Sequence, residues 1–168
     1  MPLSLRFATH DDADAIADLR NIVAEDLVKK YGPGHCGFMT TEKGVASGIS
    51  PTSKVLVATK GGKLIGTLRL AKKKPWAIDP AYFTPVKFPI YLLDMCILPD
   101  TQRKGDGAKM IRKALEVAKS WPADAIRLDA YDTEAGAGDF YRKCGFRERG
   151  RVVYRKTPLI YYEWVLTN

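Results

Sequence analysis

The sequence predicts an α/β protein of the α+β type, in which helices flank a mixed, mostly antiparallel central sheet of about seven strands. Strand-like and helix-like patterns alternate along the chain in the order β-α-β-β-β-α-β-α-β-β. Turn sequences separate two pairs of neighbouring strands and favour antiparallel hairpins. One strand-helix-strand segment predicts a parallel pair with a right-handed crossover, because parallel neighbours need such a connection.

Hydrophobic periodicity and turn residues place the individual elements. The pattern predicts strands over residues 3–7, 55–58, 64–70, 90–98, 125–131, 147–154 and 159–166. It predicts helices over residues 10–31, 42–47, 106–121 and 137–144. Thr9 is expected to cap the first helix, and Gly145 to end the last one. The segment 32–53 is longer than a connection needs, which indicates a binding role.

Length and composition favour one globular domain over residues 1–168. With 46% apolar and 27% charged residues, the chain resembles ordinary globular proteins and not disordered ones. The longest apolar run, residues 88–99, contains Asp94 and falls short of the ~20 residues that a transmembrane helix needs. The first residues lack the pattern of a signal peptide. We therefore expect a cytoplasmic protein without a membrane partner.

The charge and the cysteines narrow the choice of partners. Twenty-seven Lys and Arg against 19 Asp and Glu give a net charge of +8, which favours anionic partners such as phosphates. Cys36, Cys96 and Cys144 are widely spaced, and the chain has two histidines. This pattern predicts neither a disulfide framework nor a metal site, so free thiols are expected.

The segment from residue 91 to residue 108 carries the strongest chemical signal. A buried strand leads into a short loop, in which Gly105 and Gly107 let backbone N–H groups face outward at the start of a helix. These groups lack partners within the helix, and the aligned peptide dipoles add roughly half a positive charge there. Gln102, Arg103 and Lys104 supply further donors. The sequence therefore predicts a binding site for a phosphate or a diphosphate.

Two nucleotide-binding motifs fit this loop less well. A Walker P-loop requires G-x-x-x-x-G-K-S/T, whereas Gly107 is followed by Ala-Lys-Met. A dinucleotide fingerprint requires a third glycine where this chain has Met110. Asp124 and Asp129 do lie at about the distance expected for the acidic residue of that fingerprint, so it stays a minor alternative.

The loop instead resembles the Q/R-x-x-G-x-G/A motif of the GNAT superfamily of N-acetyltransferases, in the segment Gln102-Arg-Lys-Gly-Asp-Gly107. It follows the fourth strand and begins the third helix, as in that family. A second block, Asp139-Phe-Tyr-Arg-Lys-Cys-Gly-Phe146, is similar to the FYxKxGF ending of the family's fourth helix. The element order agrees along nearly the whole chain. The resemblance implies a GNAT-like acyl-CoA N-acyltransferase fold.

The resemblance also implies an activity: transfer of an acetyl group from acetyl-CoA, as co-substrate, to a primary amine by direct attack in a ternary complex. The coenzyme would lie where the fourth and fifth strands separate, with its amides bonded to the strand edge and its diphosphate to the loop. The residues expected to bind it are Cys96, Ile97, Leu98, Gln102, Arg103, Lys104, Gly105, Asp106, Gly107, Ala108 and Glu134. Glu134 stands where members of the family often carry an asparagine.

Two residues are expected to carry catalysis. By the resemblance, Tyr141 lies near the sulfur and protonates the departing thiolate, since a phenol of pKa ~10 keeps its proton at neutral pH. The alternative is a core aromatic residue. Asp94 is the candidate base, because a carboxylate in so apolar a strand is costly without a function or a partner, and it shares strand parity with Leu92 and Cys96. The alternative is a carboxylate satisfied by backbone N–H groups or an arginine.

A second hypothesis is a non-catalytic module on the same fold that binds acyl-CoA, nucleic acid or an acidic protein. The chain lacks a stripe of Lys and Arg interleaved with aromatics, so the enzyme is favoured and nucleic acid is not the expected partner. The acceptor is expected to be a small-molecule or peptide amine. The acceptor would be selected by residues 32–53, residues 75–89 and the final hairpin. These segments contain no sequence motif that identifies it. The sequence is also compatible with a homodimer.

Overall fold

The computed structural model describes residues 1–33, 39–134 and 136–166, so Cys36 lies outside the described residues. Within them, seven strands form one sheet in the order β1-β2-β3-β4-β5-β7-β6. The strands are β1 (Leu3–Phe7), β2 (Ser53–Lys60), β3 (Lys63–Ala71), β4 (Pro89–Ile97), β5 (Ala125–Tyr131), β6 (Arg147–Tyr154) and β7 (Thr157–Val165). The helices are α1 (Ala13–Tyr31), α2 (Glu42–Ser47), α3 (Asp106–Ser120) and α4 (Gly138–Cys144). Of these helices, none has the length and apolarity needed to cross a bilayer.

The predicted fold class is confirmed. The pair β4 and β5 is parallel, as the strand-helix-strand segment indicates, and the other neighbours are antiparallel. The last turn is tighter than predicted: Arg155 and Lys156 both have positive φ, 47° and 69°, and β7 already begins at Thr157. Two such residues form the mirror-image turn that matches the twist of a hairpin, but the usual Asn or Gly signal for it is missing from the sequence.

Helices cover both faces of the sheet. On one face α1 and α2 pack over β2 and β3, with Ile16, Val45 and Val57 in a common buried cluster. On the other face the apolar side of α3 packs against the sheet, where Met110 joins Leu68 in the largest core cluster. Each layer follows from the amphipathic patterns of its helices and from alternation along the strands.

The sheet opens between β4 and β5. The two strands are paired only from Pro89 to Tyr91 with Ala125 to Arg127. Beyond this point β4 stays paired with β3, and β5 stays paired with β7 as far as Tyr131. Residues 92–97 of β4 and 128–131 of β5 are therefore not hydrogen-bonded to each other, and they border a gap that we call the β4–β5 gap.

A buried ion pair fixes the connection between β3 and β4. Glu163 of β7 lies 3.2 Å from the Nε of Arg127, and the two side chains are 2% and 5% exposed. The same carboxylate accepts a hydrogen bond from the Thr84 amide, while Arg127 donates to the Thr84 carbonyl at 2.7 Å. The pair therefore holds the middle of the loop as well as two strands.

Glu163→Gln is expected to lower the free energy of unfolding by about 3 kcal/mol, because it leaves the buried Arg127 guanidinium without a counter-ion. Urea denaturation followed by circular dichroism measures this. Glu116→Gln is the matched control: this side chain is 70% exposed, and its loss should change stability by less than about 0.5 kcal/mol. Equal effects of the two substitutions would contradict a stabilising role for the buried pair.

Candidate active site

The loop after β4 presents backbone amides at the start of α3. Arg103 and Gly105 both have positive φ, 64° and 83°, and Gly105 is the N-cap of the helix. None of the described residues accepts a hydrogen bond from the amides of residues 103–108. Because the helix dipole adds positive charge at the same end, this turn can bind an anion through its main chain.

Side chains of the same loop hold its shape. Gln102 donates from Nε2 to the carbonyl of Ile97 at 2.9 Å. Asp106 is buried, and its Oδ2 lies 2.6 Å from the Nζ of Lys60 at the end of β2. Arg103 and Lys104 are exposed. Of the predicted cofactor contacts, the Gln102 and Asp106 side chains are thus engaged within the protein, while the two basic side chains face solvent.

Gly107 permits a close approach of three elements. A Cβ added here would lie 3.0 Å from the ring of Phe140 on α4 and 3.1 Å from the Cδ1 of Ile97 on β4. Both distances are tighter than ordinary van der Waals contact. The glycine therefore lets α4 and the end of β4 pack directly against the first turn of α3, next to the free amides.

The edge of β4 supplies one free amide at the predicted position. Leu98 donates its N–H to Ile65 at 2.8 Å and accepts from Thr101 at 2.9 Å, so its main chain is already bonded within the protein. Successive N–H groups of a strand point to opposite edges, which directs the amide of Ile97 toward the β4–β5 gap. Ile97 is the member of the predicted set 96–98 best placed to bind a ligand with its backbone.

Asp94 lies in a β-bulge that the sequence analysis did not predict. Leu93 pairs with Arg69 and Cys96 pairs with Thr67, so the two residues between Leu93 and Cys96 face the single residue Leu68. Asp94 has a φ of 54°. The predicted shared parity of Asp94 with Leu92 is wrong, because the extra residue reverses the alternation between them, whereas Asp94 and Cys96 still face the same side. Leu92 lies in the α3-side core, and Asp94 points to the α1 side.

The carboxylate of Asp94 is neither buried nor unpartnered. It is 40% exposed, and its Oδ2 accepts a hydrogen bond from the Nε of Arg69 at 2.9 Å. The Nη2 of Arg20, on α1, lies 3.8 Å from the same oxygen. The premise that an apolar environment makes this carboxylate costly is therefore wrong, and the alternative of a carboxylate satisfied by an arginine describes the contacts.

Tyr141 lies on the buried face of α4 with its ring 5.2 Å from that of Phe140 and 5.8 Å from that of Phe146. Burial raises its pKa well above the usual value, and the nearby acidic groups Cys144, Asp129 and Cys96 raise it further. Tyr141 thus holds a protonated phenol close to groups from both β4 and β5.

Two further groups line the gap. Burial raises the pKa of the Cys96 thiol to about 12, so this side chain stays a neutral thiol and not a nucleophile. On β5, burial also raises the pKa of Asp129. Neither a hydrogen bond nor an ion pair joins the Asp129 carboxylate to a described residue. No catalytic role was predicted for Asp129 from the sequence, although a lone carboxylate in the buried strand 125–131 was a usable signal.

Glu134 is exposed in the turn after β5, next to a residue outside the described ranges. Its side chain makes no hydrogen bond or ion pair with the described residues. The predicted contact with a cofactor stays a prediction.

Comparison with known proteins supports the same fold. The chain is 27% identical over 90 residues to YvbK of Bacillus subtilis (strain 168), an uncharacterized N-acetyltransferase; the match covers 54% of this chain and 50% of the relative, so it spans about half of that protein's length. The structure of yncA from Salmonella typhimurium, which contains its cofactor acetyl-CoA, superposes with a TM-score of 0.72 at 16% identity, over 98% of this chain and 94% of the other.

The ribosomal-protein-S18-alanine N-acetyltransferase of Escherichia coli superposes with a TM-score of 0.74 at 16% identity, over 99% of this chain and 96% of the other. At such identities these two structures show the shared fold. The model of the acetyltransferase (GNAT) family matches residues 19–146, which include the whole β4–β5 gap, the loop of free amides and Tyr141. The predicted resemblance is thereby confirmed, and the chain belongs to the acetyltransferase (GNAT) family.

Proposed function

We propose that this protein transfers the acetyl group of acetyl-CoA to a primary amine by direct attack of the amine on the thioester in a ternary complex. The observation that carries the proposal is the run of unbonded amides at residues 103–108, beside the edge of β4 that β5 leaves unpaired. A long ligand with a diphosphate at one end and amides along its arm suits this pair of surfaces.

The residues present fit acetyl-CoA. The diphosphate would accept hydrogen bonds from the amides of the α3 turn, with Arg103 and Lys104 as neighbouring cations. The pantetheine amides would extend the sheet along β4, much as an added strand would. The amide of Ile97 would polarise the thioester carbonyl. When bound, the coenzyme supplies the activated acetyl group.

The protonation state of the Tyr141 phenol suits it to act as the general acid. As the amine forms its bond to the acetyl carbon, the carbon–sulfur bond breaks and the sulfur leaves as a thiolate. A phenol whose pKa is raised by burial is still protonated at neutral pH, so it can donate its proton to that sulfur.

As the base that removes a proton from the acceptor amine, we propose Asp129 in place of Asp94. An amine must be neutral to attack, and a carboxylate with a raised pKa accepts a proton more readily than an ordinary one. Asp94, in contrast, is hydrogen-bonded to Arg69 and lies near Arg20, so its carboxylate is already engaged by side chains of the protein. Asp129 also lies on the unpaired part of β5, at the gap itself.

The test is ligand-dependent stability followed by turnover. Acetyl-CoA at 100 times its dissociation constant is expected to stabilise the fold by about 2.7 kcal/mol, seen as a raised melting temperature. S-acetylpantetheine, which lacks the diphosphate, is the matched control and should give a much smaller shift. With acetyl-CoA and an amine panel, thiol release should then be observed. Stabilisation by an oligonucleotide but not by acetyl-CoA would favour the binding-module alternative instead.

A further inference from the structure

We propose that the acceptor amine carries a carboxylate, as an amino acid does, and that Arg20 binds this carboxylate with help from Arg69. This inference rests on the proposed acetyl transfer and specifies its substrate. The observation behind it is the guanidinium of Arg20, whose side chain is 13% exposed. Its Nε and Nη2 are buried and have no hydrogen-bond partner among residues 1–33, 39–134 and 136–166.

Nε and Nη2 form one edge of the guanidinium, with two parallel N–H groups spaced as the two oxygens of a carboxylate are. The nearest described anion, Asp94 Oδ2, lies 3.8 Å from Nη2, which is beyond hydrogen-bond distance. That oxygen is instead bonded to Arg69 at 2.9 Å. Because unpaired donors on a buried charge cost free energy, the Arg20 edge is suited to an anion that the described part of the chain does not supply.

The charge of this cluster indicates what kind of anion fits. Two guanidinium groups, Arg20 and Arg69, face one carboxylate, Asp94, so the cluster holds one uncompensated positive charge. A singly charged carboxylate neutralises it, whereas a doubly charged phosphate would leave an excess of negative charge. The exposed Asp94 side chain shows that the cluster is open to solvent at one end.

The cluster also lies beside the β4–β5 gap. Asp94 lies two residues before Cys96, within the part of β4 that borders this gap, and the Nη2 of Arg20 lies 3.8 Å from its Oδ2. An acceptor whose amine enters the gap beside Cys96 would therefore direct its other substituents toward the Arg20 side of β4. The bulge at Asp94 creates this arrangement, since it turns Asp94 toward α1.

The experiment compares each standard L-amino acid with its own carboxamide, which keeps the amine and the side chain and loses the charge. In the acetyl-CoA thiol-release assay, the preferred amino acid should exceed its carboxamide in kcat/KM by about 10- to 100-fold, mainly through KM. Arg20→Gln should reduce this preference to about twofold, because the acid loses more of its kcat/KM than the carboxamide does. Arg20→Lys, which keeps the charge without the paired donors, should fall between them.

Arg147→Gln is the matched control, because Arg147 is exposed at the start of β6 and its loss should leave the preference intact. The wild-type comparison needs no variant, so it holds even if Arg20→Gln does not fold. Equal rates for acid and carboxamide, or an Arg20→Gln variant that loses both alike, would overturn carboxylate recognition while acetyl transfer stands. Failure to acetylate any amine would overturn the proposed function and this inference together.

Discussion

Tyr141→Phe is expected to lower kcat by about 10²- to 10⁴-fold, the contribution that a positioned general acid makes. The substitution removes one hydroxyl and keeps the ring that packs against Phe140 and Phe146, so the fold should persist. Without a proton donor, the sulfur must leave as a free thiolate in a buried environment. Steady-state thiol release measures kcat, and the melting-temperature shift with acetyl-CoA should match that of the wild type.

The pH dependence adds a second readout for Tyr141. Burial raises the phenol's pKa, so the acid form persists throughout the neutral range and activity should not fall on its account up to about pH 9. Tyr91→Phe is the control, since Tyr91 is buried on β4 where the strand is still paired with β5. A Tyr141→Phe variant within about twofold of wild-type kcat would make this residue a core aromatic without a catalytic role.

Asp129→Asn is expected to lower kcat/KM by about 10²- to 10³-fold and to abolish the acidic limb of the pH profile. A base acts in its deprotonated form, so wild-type activity should fall as the pH decreases through the raised pKa of Asp129. The amide cannot titrate, and the remaining activity should lose this dependence. Initial rates from about pH 5 to pH 9, with one amine held well below its KM and acetyl-CoA saturating, measure kcat/KM for that amine.

The stability of Asp129→Asn distinguishes a catalytic carboxylate from a structural one. The pKa of Asp129 is raised in the folded state, so the folded protein binds this proton more tightly than the unfolded chain does. The free energy of unfolding therefore decreases as pH rises through the window between the ordinary and the raised pKa. At neutral pH the ionised carboxylate is a cost, and Asp129→Asn should be at least as stable as the wild type while less active.

Asp94→Asn is the matched comparison, because it makes the same chemical change on the facing strand. Its carboxylate is hydrogen-bonded to Arg69 and lies near Arg20, so it is already engaged within the protein. The acidic limb should survive in this variant even if KM changes. If the limb is instead lost in Asp94→Asn and retained in Asp129→Asn, the base is Asp94, as the sequence analysis expected.

The local sequence was sufficient to predict the helices and strands and the anion-binding turn before α3. Strands 125–131 and 147–154 were predicted with the bounds that the structure shows, because turn residues mark their ends. The short helix 42–47 was also predicted with its observed bounds, although the segment around it has little hydrophobic pattern. The anion-binding role of residues 102–108 was also predictable, since glycine spacing before a helix determines which backbone amides lack a partner within the helix. These properties depend on neighbours in the chain.

The chemistry around the gap depended on contacts between distant segments. The pairing of β4 with β3 decides that a bulge falls at Asp94, and this reverses the face on which its carboxylate lies. Likewise, Arg20 meets Asp94 and Arg69 because α1 packs across β3 and β4, and Asp129 gains its raised pKa from burial within the assembled sheet. By itself, the sequence determined the order of elements and the family motif. Only the tertiary structure decided which charges neutralise one another, because strand register and helix packing bring together residues that are far apart in the chain.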